Sequence, residues 1–262
     1  MKKLVRRLIG DENYLKTFGY ISDIYQSVFL KIKEEGTAMV PNFIQKGDTV
    51  FDIGANVGRF TSLAAALAGP KGRVYSFEPQ QYPRKILTQM KSVRSLSQVI
   101  IVDKALSDSP GTAEITIPLK DGWKPKSACG HLDGENEDPH KTETVGVSTL
   151  DAFCEENGVG RLDFIKCDVE GAELKVFRAG TRVLTRFHPT IYCEVDKLCC
   201  DRNKVPLRAV FDFLESLGYR AYLPDKSKKL FYVDPGNIPR EKTEYFFIHV
   251  NRRESFPAEL FR

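Results

Sequence analysis

Three carboxylates follow one apolar run of the sequence within six positions. Asp168, Glu170 and Glu173 come after the run LDFIKC. A carboxylate in such a place can take the proton of a bound hydroxyl group, which contributes on the order of 10² to 10⁴ in rate, or it can hold a cationic group. Asp168 and Glu170 are therefore the candidate catalytic residues. Glu173 falls in the first turn of the next predicted helix, where the dipole favours a carboxylate, so a helix-start role and a substrate-binding role are both open for it.

A turn that contains two glycines follows an earlier apolar run. The sequence DIGANVG at 52–58 ends that run and leads into RFTSLAAALAGP, which is typical of a helix that stops at Gly69. Backbone N–H groups in a turn between a strand and a helix can meet a polar or anionic ligand. Gly54 and Gly58 are four positions apart, so the G-x-G-x-x-G spacing of dinucleotide sites is absent. A tight turn without a ligand is the alternative interpretation.

Two more acidic residues mark the ends of neighbouring apolar runs. Glu78 ends the second run, RVYSFE, and Asp103 ends the third, QVIIVD. Because the carboxyl ends of parallel strands meet at one edge of a sheet, both acids and the turn at 52–58 are expected to border one cleft. A carboxylate in the position of Glu78 can accept hydrogen bonds from both hydroxyls of a ribose.

The order of the apolar runs predicts the sheet that positions these residues. Runs begin near positions 49, 73, 98, 162 and 190, with helix-like stretches between them. Near-continuous apolar strands that alternate with helices indicate a parallel sheet covered on both faces. The long third interval holds an insertion at about 105–150, in which AEITIPL and TVGVSTL form a predicted hairpin around a polar loop. The final runs, YRAYL, KLFYV and EYFFIHV, lack crossover helices and are expected to pair antiparallel.

Residues 1–45 are predicted to form an N-terminal helical cover, and residues 46–262 the main domain that contains the insertion. Apolar residues recur at three- and four-residue spacing between Tyr20 and Ile32, which is typical of an amphipathic helix. A membrane-surface helix is the alternative. Its polar face would be uniformly basic, whereas this one mixes acidic and basic residues.

The composition excludes several classes of protein. The chain has 262 residues, of which 42% are hydrophobic, so it can form a sizeable core, and its net charge of +4 is too small to indicate a nucleic-acid partner. The six cysteines include no C-x-x-C pair and are expected to be reduced thiols of a cytoplasmic protein. No apolar run reaches the roughly 18 residues of a membrane span, and the N-terminal apolar stretch is shorter than a signal-peptide core.

Several motifs occur in a fixed order along the chain. They are D-x-G-A-N-x-G-x-F-T at 52–61, F-E-P at 77–79, A-L-S-D at 105–108, S-T-L-D at 148–151 and D-V-E-G-x-E at 168–173. Together they resemble the FkbM family of S-adenosylmethionine-dependent methyltransferases over about residues 45–250. Residues 1–40 and 120–142 carry little of the resemblance.

The resemblance implies a class I methyltransferase fold, which is an α/β, Rossmann-like fold. Its sheet has seven strands and is mostly parallel with an antiparallel last strand, and helices cover both faces. The implied cofactor is S-adenosylmethionine, with its methionine part at the turn, its ribose at Glu78 and its adenine beside Asp103 and Ala105. The expected cofactor-binding residues are Asp52, Gly54, Ala55, Asn56, Gly58, Thr61, Glu78, Pro79, Asp103 and Ala105.

The resemblance also implies the reaction, which is methyl transfer to a hydroxyl oxygen of a sugar, glycan or natural product. The expected partner is a small-molecule or glycan acceptor, bound by Glu173, Glu194 and His131. A nucleic-acid methyltransferase and a cofactor-binding scaffold without catalysis are the alternatives. The first would show a basic groove and salt-sensitive binding, and the second would have no need of both Asp168 and Glu170.

The sequence predicts no metal site. Cys129, His131 and His140 do not have the spacing of a zinc site. Magnesium held by Asp168, Glu194 and a third group is left open, because carboxylates suit that ion. The oligomeric state is also left open.

Overall fold

The computed structural model describes residues 36–120, 124–125, 131–132, 140–225, 227–239 and 244–262. The amphipathic helix predicted between Tyr20 and Ile32 lies outside the described residues. The first described elements are two single turns of 3-10 helix, Gly36–Ala38 and Val40–Asn42. Between and after them Met39, Val40 and Phe43 are buried in the core of the domain.

The described strands and helices alternate over most of the chain. The strands are β1 (Thr49–Ile53), β2 (Arg73–Phe77), β3 (Val99–Val102), β4 (Lys104–Leu106), β5 (Gly111–Lys120), β6 (Lys124–Pro125), β7 (His131–Leu132), β8 (His140–Ser148), β9 (Phe164–Cys167), β10 (Thr190–Glu194), β11 (Tyr219–Pro224), β12 (Leu230–Tyr232) and β13 (Glu244–His249). The α-helices are α1 (Arg59–Ala68), α2 (Gln81–Val93), α3 (Leu150–Glu156), α4 (Glu173–Arg178), α5 (Thr181–Phe187), α6 (Lys197–Arg202), α7 (Leu207–Ser216) and α8 (Val250–Arg253).

The main sheet has the order β12-β11-β13-β10-β9-β1-β2-β3 among the described residues. Strands β3, β2, β1, β9 and β10 are parallel, and β13 runs antiparallel to both of its neighbours. The predicted class I fold, mostly parallel with an antiparallel last strand, is therefore confirmed. The predicted number of seven strands is one too low. The antiparallel pairing expected for KLFYV is confirmed, since it forms the edge strand β12 beside β11. A tight turn in which Asp225 N–H donates to Lys229 O at 2.8 Å joins β12 to β11.

Apolar side chains cover both faces of the main sheet. On one face Phe51 packs with Phe77 and Phe153, and on the other Val50 belongs to a cluster with Phe164. Each fully buried side chain of this size contributes about 1.5–3 kcal/mol. Burial on both faces explains why these strands are near-continuous apolar runs in the sequence. In the described ranges, no helix is long and apolar enough to cross a membrane.

A second, smaller sheet comes from the chain between β3 and β9. Strand β8 pairs parallel with β4 and antiparallel with β5, while β6 and β7 pair with β5. Its own apolar cluster contains Ala105, Ile115 and Val147. A hydrogen bond of 3.0 Å from the N–H of Gln81 to Glu143 Oε2 links it to the start of α2. The small sheet thus stands beside the carboxyl ends of the parallel strands.

Candidate functional site

An open cleft lies at the carboxyl ends of β1, β2 and β9. The empty space within it, open solvent included, is about 620 Å³. The lining combines apolar side chains with three carboxylates. It comprises Ile53, Gly54, Asn56, Phe77, Glu78, Pro79, Gln80, Lys104, Ala105, Leu106, Ile115, Asp168, Val169 and Glu170. The cleft therefore brings together the turn after β1, the end of β2, the small sheet and the loop after β9.

Glu78 lines the cleft directly after β2, and only 3% of its surface is exposed. Its Oε2 accepts the backbone N–H of Asn56 at 2.8 Å, and its Oε1 accepts that of Gln80 at 2.8 Å. Burial raises the pKa of Glu78 to about 7 in spite of these two hydrogen bonds. Since a carboxylate oxygen has two lone pairs, both oxygens can still accept hydrogen bonds from the hydroxyls of a ligand.

The N–H groups of the turn after β1 are used within the chain. Those of Gly54 and Ala55 donate to Phe77 O at 3.1 and 2.9 Å, that of Asn56 donates to the carboxylate just described, and that of Gly58 donates to Ala55 O at 2.9 Å. These four groups are therefore not free to meet the polar or anionic ligand that the turn between strand and helix suggested. Gly54 and Asn56 of the turn line the cleft, so a ligand would contact the surfaces of these two residues instead.

Both glycines of the turn are closely packed and have left-handed backbone angles. Gly54 has φ +78°, and a Cβ atom there would lie 1.9 Å from the backbone oxygen of Asp168. Gly58 has φ +87°, and its Cβ would lie 2.4 Å from a methyl carbon of Leu87. A residue with a side chain disfavours these backbone angles and would separate the turn from its neighbours. Gly54 thereby allows the turn after β1 to touch the loop after β9.

Asp52 and Thr61 lie behind the turn, outside the cleft lining found among the described residues. Both are completely buried. Thr61 Oγ1 donates to Asp52 Oδ2 at 2.6 Å and also lies 2.9 Å from Ser76 Oγ. Burial is the main cause that raises the pKa of Asp52. The two residues thus support the turn from the protein interior.

Of the two residues expected beside the adenine ring, Ala105 belongs to the cleft lining and Asp103 does not. Ala105 on β4 and Pro79 after β2 line the cleft, together with the apolar side chains of Leu106 and Ile115. Asp103, between β3 and β4, is exposed and is not part of the cleft lining as described. The apolar wall on this side therefore comes from the small sheet.

The loop after β9 carries the two candidate catalytic residues. Asp168 and Glu170 both line the cleft. Glu170 has a left-handed backbone with φ +56°, which is uncommon for a residue other than glycine. The loop is fastened to α6, because Asn203 Nδ2 donates to Glu170 O at 3.1 Å and Cys199 Sγ donates to Glu170 Oε2 at 3.2 Å. Burial raises the pKa of Glu170, which suits a residue that has to take up a proton.

Glu173 begins helix α4 and is buried, with 2% of its surface exposed. Its Oε1 accepts the backbone N–H groups of Val169 and Gly171 at 3.0 and 3.2 Å. Burial raises the pKa of Glu173 to about 7. These contacts favour the helix-start interpretation, in which Glu173 orders the loop that carries Asp168.

A second cavity of about 510 Å³ adjoins the cleft on the far side of this loop. Five carboxylates contribute to its lining, which comprises Asp168, Glu170, Gly171, Glu173, Glu194, Asp196 and Cys199. Partial burial, followed by repulsion from Asp168 and Glu170, raises the pKa of Glu194. The two cavities share Asp168 and Glu170, so these side chains stand where a ligand of the cleft would meet a ligand of the acidic cavity.

Two further predictions concern His131 and metal binding. The backbone of His131 lies in β7 opposite Thr116, and its side chain lies outside the described part of the chain. The described residues contain no group of three or more His, Cys, Asp or Glu side chains arranged to hold a metal ion.

Lys166 is the residue of this site that the sequence analysis missed. It lies on β9, and its ammonium group contacts the turn after β1 as well as Asp168. A lone lysine inside the apolar run LDFIKC is the signal that could have revealed it, since lysine is almost never buried unless it is paired.

The sheet order and the cleft at the carboxyl ends of its parallel strands define a class I methyltransferase. The sequence matches the model of the Methyltransferase FkbM domain over residues 52–221. This chain belongs to the FkbM methyltransferase family. The crystal structure of Methyltransferase FkbM from Methylobacillus flagellatus KT has the same fold, with a TM-score of 0.51 at 12% identity, and covers 90% of this chain and 60% of that chain.

Two curated relatives are similar in sequence. 2-O-methyltransferase NoeI of Sinorhizobium fredii is 30% identical over 202 residues, which are 71% of this chain and 79% of NoeI. Hexuronic acid methyltransferase AglP of Haloferax volcanii is 26% identical over 169 residues, which are 63% of each chain. The match with AglP thus spans less than two thirds of that relative.

S-adenosylmethionine is the methyl donor of this enzyme, and the cleft lining suits it chemically. Apolar side chains of β4 and β5 form a wall for a flat base, and Glu78 provides acceptors for ribose hydroxyls. The carboxylates of Asp168 and Glu170 in the same lining are suitable partners for a cationic group. A dinucleotide would lack both the usual glycine spacing and free N–H groups in the turn.

Proposed function

We propose that this enzyme transfers a methyl group to a hydroxyl oxygen of a sugar, glycan or natural product. The observation that carries the proposal is the junction of two cavities at Asp168 and Glu170. One cavity has the lining of a cofactor site, and the other is open to an acceptor. The names of the relatives NoeI and AglP, a 2-O-methyltransferase and a hexuronic acid methyltransferase, fit this class of acceptor.

The chain's own residues have three tasks in this reaction. When bound, S-adenosylmethionine supplies an electrophilic methyl group, so the protein mainly has to place an acceptor oxygen in line with it. Such positioning contributes roughly 7–11 kcal/mol. Glu170 is proposed to take the proton of the acceptor hydroxyl, because it faces both cavities and burial raises its pKa. Asp168 is proposed to face both the cofactor and the acceptor.

Glu78 and Glu173 have supporting roles in the proposal. Glu78 would bind the ribose hydroxyls, since it is the buried carboxylate at the end of β2. Glu173 would hold the loop that carries Asp168, through its hydrogen bonds to Val169 and Gly171. Glu194 lines the acceptor side of the acidic cavity.

The charge of the acidic cavity disfavours a nucleic-acid substrate. Its carboxylates, with Glu194 and Asp196 on the side away from the cofactor cleft, would repel phosphate groups. An uncharged polyol or a cationic acceptor suits this lining better. We therefore propose a small-molecule or glycan acceptor. We also propose the cytoplasm as the compartment, because the cysteines of the sequence are expected to be reduced thiols.

The proposal is tested with the full chain, S-adenosylmethionine and a panel of acceptors. The panel contains neutral oligosaccharides, oligosaccharides with uronic acids, polyhydroxylated small molecules and, as a contrast, RNA and DNA oligonucleotides. Mass spectrometry should detect the addition of one methyl group to a hydroxylated acceptor, and the deoxy analogue of that acceptor should stay unmodified. Methylation of an oligonucleotide alone would contradict the proposal, as would methylation of the deoxy analogue at a nitrogen.

A further inference from the structure

Lys166 carries a positive charge in the interior of the main sheet. It lies on β9 directly beside Asp52 of β1 in the parallel register, and 11% of its side chain is exposed. Burial of an ammonium group is costly unless partners replace its water shell. The environment of Lys166 therefore has to supply such partners.

The ammonium group of Lys166 contacts three groups that come from two strand ends. Nζ donates to Gly54 O at 2.8 Å, lies 3.0 Å from Asp168 Oδ2 and lies 3.7 Å from Asp52 Oδ1. Burial lowers the pKa of Lys166, but attraction to Asp168 and Asp52 outweighs burial and raises it overall, so the side chain stays charged.

The partners of Lys166 differ in how far they are exposed to the cleft. Asp52 is completely buried, whereas the side chain of Asp168 is 35% exposed and lines the cleft. Gly54 also lines the cleft. The ammonium group of Lys166 thus links the buried carboxylate of Asp52 to two groups that line the cleft.

We propose that Lys166 is a positioning residue of this enzyme, which holds the turn at Gly54 against the loop after β9 and orients the carboxylate of Asp168 toward the cleft. The part that concerns turnover rests on the proposed function of Asp168, while the part that concerns the turn does not. Lys166 itself is shielded from an acceptor, and it acts on the reaction through these two neighbours.

The first test measures cofactor affinity without an acceptor. Lys166→Met keeps the apolar stem and removes the charge, so calorimetry with S-adenosylhomocysteine is expected to show a dissociation constant about tenfold higher than that of the wild type. Lys91→Met is the matched control, because Lys91 is a half-buried lysine in the last turn of α2, outside the cleft. The control should bind as the wild type does. An unchanged affinity in folded Lys166→Met would refute the role at the turn.

The second test asks whether Lys166 acts on turnover through Asp168. In single variants, kcat at saturating cofactor is expected to fall by about tenfold or more for Lys166→Met and for Asp168→Asn. In the double variant, the two losses should not multiply, since a residue that positions Asp168 has no further effect once that carboxylate is gone. Losses that multiply fully would refute the positioning of Asp168.

Loss of the fold is addressed by a further variant. Removal of Lys166 leaves the carboxylate of Asp52 buried without a cation, which can unfold a protein. In Asp52→Asn/Lys166→Met that buried charge is removed as well, so this variant should fold and should still bind S-adenosylhomocysteine about tenfold more weakly. Wild-type affinity in this folded variant would overturn the proposal.

The two parts of the inference fail in different ways. If the wild type methylates no hydroxylated acceptor, the proposed function is wrong, yet the calorimetric comparison with Lys91→Met still decides whether Lys166 holds the turn. If the wild type is active and only the calorimetric and kcat effects are missing, the proposed function stands and Lys166 is a stabilising residue alone.

Discussion

The carboxylate of Glu78 joins two strand ends, because its Oε2 accepts the backbone N–H of Asn56 at 2.8 Å across the cleft edge. This bond ties the turn after β1 to the residue that follows β2. The Glu78→Ala variant should therefore bind S-adenosylhomocysteine more weakly, by about 1.5–3 kcal/mol for the lost charged hydrogen bonds. Calorimetry measures the affinity, and circular dichroism confirms the fold. Unchanged affinity in a folded variant would show that the ribose lies elsewhere.

Cofactor affinity should rise with pH around neutrality. Burial raises the pKa of Glu78 to about 7, and ribose hydroxyls donate to the ionised form, so binding strengthens from about pH 6 to about pH 8. The same shift makes ionised Glu78 unfavourable in the free folded chain, so its contribution to stability falls as the pH rises from the ordinary glutamate value through about 7. In Glu78→Gln, the pH dependence of cofactor affinity that belongs to this carboxyl group should be lost. A pH dependence equal in both proteins would assign it to another group.

Asp168 and Glu170 should differ when each charge is removed without a change in shape. Glu170→Gln is expected to lower kcat by about 10² or more with unchanged cofactor affinity, as for a proton acceptor. Asp168→Asn is expected to lower kcat and to weaken cofactor binding as well. Steady-state kinetics and calorimetry separate the two effects. If neither variant loses more than a few-fold in turnover, positioning alone accounts for catalysis.

The two glycines of the turn should differ in their tolerance of a methyl group. In Gly54→Ala the new Cβ would meet the backbone oxygen of Asp168 at 1.9 Å, so the strand ends must separate and cofactor binding should be lost. In Gly58→Ala the new Cβ meets the ends of the Leu87 and Met90 side chains, which can move. We expect Gly58→Ala to cost about 1–3 kcal/mol and to retain cofactor binding, with a melting temperature lower by about 2–4 °C per kcal/mol. Equal effects of both variants would contradict this account.

A pair of stacked histidines should make stability depend on pH at the other end of the sheet. The rings of His188 and His249 stack with centroids 3.7 Å apart, and burial, followed by the charge of His188, lowers the pKa of His249. A histidine with a lowered folded-state pKa contributes stability above its ordinary pKa of about 6.5, and this contribution is lost as the pH falls from that value through the lowered folded-state pKa.

The test compares the wild type with His249→Asn, which keeps an acceptor for the N–H of Asn251 at the start of α8. Denaturant unfolding at about pH 8 and about pH 5.5 gives the free energy of unfolding. The wild type should lose more stability than the variant between the two pH values. A parallel change in both would show that His249 does not titrate in this range.

The parallel core of the fold was predictable because each strand is buried on both faces. Runs such as TVFDI and LDFIKC are mostly apolar on both faces, and the spacing from each to the next run leaves room for a helical crossover. The final runs lack crossover helices, so their antiparallel pairing was predictable as well, and KLFYV pairs with β11 as β12. The strand number was one too low because the count of seven came from the family resemblance, and the sheet has eight strands in the part of the chain that the structure describes.

The site was predictable in its location but less so in its contacts. Glu78, Asp168 and Glu170 line the cleft as their positions at strand ends predict. Asp52 and Thr61 belong to the same motif, but they face the interior, because a motif shows which residues occur together and not which atoms meet a ligand. Lys166 was missed because two of its three partners, Asp52 and Gly54, come from another strand and the turn after it, and local spacing does not reveal those contacts.

The loop after β9 is fastened to α6, and this fastening limits which substitutions the chain can accept. A Cβ atom at Gly171 would lie 2.3 Å from Asn203 Nδ2 and 2.4 Å from Cys199 O, and Asn203 also holds the backbone of Glu170. Because the Cys199 oxygen belongs to the backbone of α6, a side chain at position 171 would displace the helix, and a side-chain substitution in α6 alone would not make room for it. Helix α6 also borders the acidic cavity through Cys199, so a displacement of the helix would change the shape of that cavity as well.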